Sequence, residues 1–303
     1  MFYGLIAAFG WGMSAVAATN AARRAGTYLA LLCAQGLGVA VLVVLAGLVR
    51  PSLGATSGST VLVLIGAGLL GMVGYLTYYR ALAISGTAGL VSAVSATYGG
   101  VTTVLAAVFL RERMGWAGDL GVVLAVAGTA IAAAQSGSGR PAAVTGTGPV
   151  AVRERVAERV RALTRGGVPL AVASAVTYGM SGFLLGSYSP QTGALVAALV
   201  VHGASVTALL LALPLFGRRL AGRGGSSGFA WAAAAGLTDI VGLLGFARGG
   251  QVGQVAITAA VSSVYPVIPL VAGTVFFGEE LTARQVTGIA AIIGGLLLIG
   301  LGS

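Results

Sequence analysis

Asp239 is an acid where acids are scarce, in Gly236-Leu237-Thr238-Asp239 near the middle of an apolar stretch. A carboxylate at the centre of a membrane span costs about 2.5–3.5 kcal/mol on insertion scales. It must be protonated, paired or turned toward a water-filled cavity. As a substrate ligand or proton carrier it would do chemistry; as a partner for a neighbouring polar group it would only hold structure. His202, the only histidine, also lies inside an apolar stretch, and Gln35 lies 167 residues before it inside another. Two polar side chains at the same depth of equivalent helices would face each other across a shared cavity. Histidine titrates near neutral pH, so His202 could exchange a proton with Asp239. A lone buried histidine that only packs is the plainer alternative.

The 167-residue spacing runs through the whole chain. Trp11 and Tyr178 are that far apart, as are Gly12-Met13-Ser14 and Gly179-Met180-Ser181. The pairs Val94-Ser95 and Val261-Ser262, Tyr98 and Tyr265, Phe109 and Phe276, Glu112 and Glu279 follow, then Gly121 and Gly288, and Gly128 and Gly295. These matches need no gap. Trp11, Tyr178, Tyr98, Tyr265 and Ser262 thus become candidates to line the same path. Trp11 and Tyr178 lie about mid-span, whereas tyrosines such as Tyr75, Tyr78 and Tyr79 could instead belong to an interfacial belt. Glu112 and Glu279 each end a fourth segment and are expected to cap or pair at the surface.

Composition defines the elements that must position these residues. Apolar residues are 57% of 303 and charged residues 8%, far below the roughly 25% usual in a soluble globular protein. Mean hydropathy is +0.98. Ten continuous apolar runs near 20 residues can be marked: 2–20, 27–49, 60–80, 88–110, 117–135, 167–186, 192–216, 227–247, 254–277 and 285–302. About 20 residues of helix span a hydrocarbon core, and unbroken rather than alternating runs mean helices, not a barrel. The expected fold is all-α and integral to the membrane, with ten transmembrane helices as two five-helix repeats. An odd number of spans per repeat makes the second copy cross in the opposite direction, as in alternating-access transporters.

Residues 1–137 form the first repeat, 138–166 a linker and 167–303 the second repeat. The linker opens flexible, with Gly139, Pro141 and Pro149. From Val152 its apolar residues recur at helical spacing among Arg153, Glu154, Glu158, Arg159 and Arg161, a short basic helix suited to the membrane surface. The first segment has no basic start and shares its Trp11-Gly12 pair with the second repeat, so it does not read as a cleaved signal peptide. Fifty glycines suit close helix packing in lipid.

The fourth segment of each repeat has a weak point. Pro266 and Pro269 lack the N–H that would bond four residues back and free the carbonyls of Ser262 and Tyr265. Their counterparts in repeat one are Gly99 and Thr102, with Gly100 adjoining. Symmetric weak points suit a gating helix, and a bland kink is the alternative.

The 17 basic residues are all arginine and give a net charge of +10. They fall at segment ends and in loops, where they set orientation and meet lipid phosphates, so nucleic acid is not an expected partner. With the N-terminus outside, 13 arginines are cytoplasmic and four (Arg50, Arg111, Arg113, Arg248) are not, which favours both termini outside. No enzyme signature, P-loop or metal-ligand cluster is present: no H-E-x-x-H, no G-x-S-x-G, and one histidine with one cysteine, Cys33. No cofactor is expected.

The ordered motifs resemble the EamA-type branch of the drug/metabolite transporter superfamily across essentially the whole chain. They are Trp11-Gly12 and Tyr178-Gly179 in each first helix, and Leu110-Arg111-Glu112-Arg113 and Phe277-Gly278-Glu279-Glu280-Leu281 between fourth and fifth helices. Gly121 and Gly288 follow, with Ser263-Val264-Tyr265-Pro266 downstream of Asp239. The resemblance implies a ten-helix inverted-repeat fold moving small organic solutes, often exporting amino acids or related metabolites. It also implies termini in the cytoplasm, against the arginine count, and it supplies no universal substrate motif. The expectation is a secondary transporter in the cytoplasmic membrane, with a small-molecule substrate, membrane lipids as surroundings and protons as the candidate coupling ion. A receptor or assembly protein that kept the fold is the alternative, and it would need no polar cavity.

Overall fold

A computed structural model describes residues 1–51, 56–84, 88–112, 115–133, 167–216, 225–269, 271 and 282–301. The linker helix expected after Val152, and Glu279, lie outside these residues. Among the described residues every regular element is a helix. In order they are α1 (Phe2–Ala25), α2 (Thr27–Val49), α3 (Gly58–Ile84), α4 (Ala88–Ala96), α5 (Tyr98–Leu105) with a π turn at Ala106–Leu110, and α6 (Gly115–Ala133). Then follow α7 (Val168–Thr192), α8 (Ala194–Leu211), the short α9 (Leu213–Phe216), α10 (Ser226–Gln251), α11 (Val255–Ser262) and α12 (Ala283–Leu301).

Six of these, α1, α2, α3, α7, α8 and α10, are long and apolar enough to cross a membrane. Four shorter apolar helical stretches accompany them: Val94–Leu110, Gly115–Ile131, Val255–Pro269 and Ala283–Ile299. Large apolar side chains such as Phe9, Val44, Leu62, Phe109, Val123 and Leu297 are exposed on the outer surface. In water that would be an aggregating face; in lipid it is the expected one.

The two repeats pack on each other in matched pairs. α1 lies chiefly on α10 and α3 on α7, which are equivalent pairs when the halves are exchanged, and α6 lies on α12. A Cβ at Gly121 would sit 2.6 Å from the Gly295 carbonyl oxygen, and one at Gly128 would sit 2.7 Å from that of Gly288. Gly121 is equivalent to Gly288 and Gly128 to Gly295, so each contact is the other with the halves exchanged. That is the signature of a two-fold relation, and it requires α6 and α12 to run antiparallel.

The helix ends agree. One face gathers Met1, whose amino group donates to Gln254, with Thr60 against Gln191 and Ala194 against Gln251. The opposite face brings Gly228 against Ala25 and Gly167 against Ala81. The first repeat therefore begins on one face and the second on the other.

Single-residue turns join α1 to α2 and α7 to α8. Gly26 (φ 84°, ψ 154°) and Gly193 (φ 82°, ψ 148°) make them, in a conformation that a side chain would strain. The repeated Gly-Met-Ser triplet is explained by three directions on one helix. A Cβ at Gly12 would meet the Tyr265 carbonyl oxygen at 2.8 Å, and one at Gly179 would meet that of Tyr98 at 3.0 Å. Ser14 Oγ donates to the Ala235 carbonyl at 3.0 Å, and Ser181 Oγ to the Ala67 carbonyl at 2.8 Å. Met13 and Met180 face outward.

Those contacts refine the repeat. Ala67 and Ala235, Gly68 and Gly236, and Gly74 and Gly242 occupy equivalent places, and each pair is 168 residues apart. The third helix of each half is thus offset by one residue from the 167 that serves elsewhere.

Candidate functional site

The two halves enclose a cavity of about 110 Å³. Seven of the eight sequence-nominated lining residues border it: Asp239, His202, Gln35, Trp11, Tyr178, Tyr98 and Tyr265. Ser262 is one step behind, fully buried and hydrogen-bonded to the Tyr98 hydroxyl at 2.6 Å. Tyr75, Tyr78 and Tyr79 also line the cavity rather than forming an interfacial belt.

Packing fixes the aromatic walls. Trp11 lies tilted on Phe246 with ring centroids 5.5 Å apart and edge-on to Tyr98 at 5.8 Å. In the other half, Tyr178 meets Tyr78 at 6.4 Å and Tyr75 at 5.3 Å, both edge-on. With the third-helix offset of 168, Tyr78 is the counterpart of Phe246. One ring contact therefore recurs in both halves, Trp11 on Phe246 and Tyr178 on Tyr78, while the Tyr75 ring on Tyr178 has no aromatic counterpart; the edge-on pairs among them are of the kind that aromatic quadrupoles favour.

The polar chemistry is not duplicated. Asp239, 5% exposed, accepts hydrogen bonds from the Tyr75 hydroxyl at 2.9 and 2.8 Å on its two oxygens. The Trp11 indole is set toward the same carboxylate, and the Gln35 amide lies against the Tyr75 hydroxyl. The counterpart of Asp239 in repeat one is Gly71, and that of Tyr75 in repeat two is Leu243.

Gln35 and His202 are each 2% exposed, on α2 and α8, which pack together. Neither faces lipid. Gln35 Oε1 and His202 Nε2 have no hydrogen-bond partner. The His202 ring reaches the Gln35 backbone, and its Nε2 lies over Gly38. No hydrogen bond or ion pair joins His202 to Asp239, whose two oxygens accept from the Tyr75 hydroxyl.

The fourth segments are interrupted at equivalent places. α4 ends at Ala96 and α5 starts at Tyr98, with Thr97 between, whereas α11 ends at Ser262 and turns run through 263–266 before helix resumes at 267–269. Gly99 lies at the crossing of the two, where a Cβ would meet Ser263 Cβ at 2.5 Å; one at Gly100 would meet Val126 Cγ1 at 4.0 Å, an ordinary contact. Pro266 falls at the end of the turn run and Pro269 within the resumed helix. Neither Gly99, Gly100, Pro266 nor Pro269 borders the cavity.

Glu112 caps rather than lines. Its carboxylate accepts from the backbone N–H groups of Val255 and Ala256 at 3.2 and 2.7 Å, at the positive N-terminal end of α11.

Sequence reading missed Ser14 and Ser181 as inter-repeat donors and Tyr75 as the partner of Asp239. The repeat of Gly-Met-Ser was the available signal for the serines. Tyr75 was hidden because its counterpart is a leucine and its helix is out of register by one.

A helical membrane bundle of two like halves around a polar-floored aromatic cavity defines a class: the multi-pass membrane transporter. The EamA-like transporter family profile matches residues 1–134 and 165–301, and the chain belongs to that family. No curated protein shows significant sequence similarity to it. A protein of known crystal structure is similar in fold over 100% of this chain and 98% of its own, with a TM-score of 0.72 at 21% identity.

Proposed function

We propose that the protein is a secondary transporter of the cytoplasmic membrane, crossing it ten times as two inverted five-helix repeats. It exports small organic metabolites such as amino acids or related compounds by alternating access. The observation that carries this reading is the cavity itself: both repeats line it, and it holds a nearly buried acid and aromatic walls. A scaffold that merely kept the fold could have a dry core instead.

In this mechanism Asp239 and Gln35 hold the cargo, and His202 sets the shape and polarity of the wall beside them. The aromatic rings packed on Trp11 and Tyr178 exclude water. The interruptions near Gly99-Gly100 and Pro266-Pro269 are hinges, since a helix already broken there loses no ladder hydrogen bonds on bending. Asp239 also takes up a proton on one side of the membrane and releases it on the other, coupling export to the gradient.

The test is transport in reconstituted vesicles with and without an imposed pH gradient. Wild-type protein should concentrate substrate only with the gradient. Asp239→Asn should lose that accumulation and keep part of substrate exchange at equal pH. Wild-type behaviour from the variant in both conditions would remove Asp239 from coupling.

A further inference from the structure

The cavity's charge and lining carry the reading one step further, to the class of cargo. Asp239 is nearly buried, yet its bonded partner is a neutral phenol, and no arginine borders the cavity. A carboxylate held at membrane depth by neutral donors alone is left with uncompensated charge. Gln35, on the same wall, keeps Oε1 unpartnered at 2% exposure, an acceptor without a donor. An ammonium group brings three donors and a positive charge, which matches both vacant capacities. Trp11, Tyr98 and Tyr178 border the same space, and aromatic rings there can attract a cation and cover an apolar body.

Symmetry adds an independent reason. The Trp11–Phe246 contact recurs as Tyr178–Tyr78, but Gly71 stands at the place equivalent to Asp239, so the cavity has one acid, and its one basic side chain is the imidazole of His202. A zwitterion or an acid would bring a carboxylate beside Asp239 into a space that no arginine borders and whose only basic group is the His202 imidazole.

We infer that the cargo is a small organic cation, a compound with an ammonium group, an apolar or aromatic body and no free carboxylate. The ammonium sits at Asp239 and Gln35, and the body lies on the rings. This rests on the transport reading above and narrows it from amino acids and their relatives to amines.

Three probes isolate the charge: 2-phenylethylamine, phenylalanine and 3-phenylpropionate share one ring and differ in their ends. Calorimetric titration of the purified protein in lipid nanodiscs should show the amine binding about tenfold or more tighter than phenylalanine, with no binding of the propionate. Asp239→Asn should weaken amine binding by about tenfold or more, while Asp119→Asn, an exposed acid on α6, leaves it unchanged. If Asp239→Asn does not fold, Trp11→Leu should still lower amine affinity by roughly threefold or more through the lost ring face.

Phenylalanine binding as tightly as the amine, binding of the propionate, or no amine binding at millimolar concentration would each overturn the inference. Vesicle transport separates the two levels. An amine that binds but never crosses overturns transport and supports the cation site. A carboxylate that crosses in preference to the amine supports transport and overturns the cation site.

Discussion

At the scale of residues, the duplicated groups hold the frame and the unduplicated ones supply the chemistry. Ser14 and Ser181 do the same work in opposite halves, each donating to a third-helix carbonyl of the other repeat. Ser14→Ala and Ser181→Ala should each cost about 0.5–1.5 kcal/mol, and the double variant should lose the sum because the sites are independent. Chemical denaturation in mixed micelles reads this, and a strongly sub-additive pair would mean the two bonds form one unit. Tyr75 and Asp239 behave otherwise, because the Tyr75 hydroxyl donates to both oxygens of that acid. Tyr75→Phe should destabilise the protein by about 1–3 kcal/mol, the cost of a lost hydrogen bond to a charged group in a buried site. In an Asp239→Asn background the same change should cost less. Equal costs in both backgrounds would show that the 2.8 and 2.9 Å bonds carry no coupling energy.

At the scale of elements, helix ends and crossings decide the architecture. α11 is only eight residues long, so its free N–H groups weigh heavily, and Glu112 from the first repeat satisfies two of them. Glu112→Ala should remove about 1–2 kcal/mol and speed hydrogen exchange at Val255 and Ala256; Glu112→Gln should retain part of the protection. Unchanged exchange at both amides would leave the carboxylate without a capping role. Crossings are set by glycine. A methyl at Gly12 would fall 2.6 Å from Ile268 Cβ, and one at Gly179 would fall 2.5 Å from Val101 Cβ. Gly12→Ala and Gly179→Ala should therefore each destabilise by about 1–3 kcal/mol through overpacking, read as equal losses of thermal stability.

At the scale of the whole molecule, the charge distribution orients the bundle. The face that carries Ala25 and Gly228 also carries Arg23 and Arg24, and the face that carries Met1 also carries Arg50 and Arg248. These pairs are equal in number, and it is the count of 13 arginines against four along the sequence that, by the positive-inside rule, makes the Ala25 face the expected cytoplasmic one. In a Cys33→Ser background, an impermeant maleimide should label Arg50→Cys in intact cells and Arg24→Cys only after permeabilisation. The reverse pattern would put the N-terminus inside, as the family resemblance implies. The same bundle shows why the site is asymmetric: a two-fold frame makes two equal cavity walls, and a directed charge needs one wall to differ.

Much of this was legible in the chain because membrane folding leaves strong periodic marks. Apolar runs of membrane length gave helices and their order, and the 167-residue repeat gave two like halves. Seven of the cavity-lining residues were readable because each is polar or aromatic at mid-span, where lipid tolerates neither without a reason. What the sequence could not supply was register and pairing. The one-residue offset of the third helices is silent in a pattern of small apolar residues, yet it decides that Phe246 answers Tyr78 and that Gly71 faces Asp239. The choice of Tyr75 over His202 as the partner of Asp239 is a matter of a few ångströms across helices 164 residues apart in the chain, and only their packing settles it.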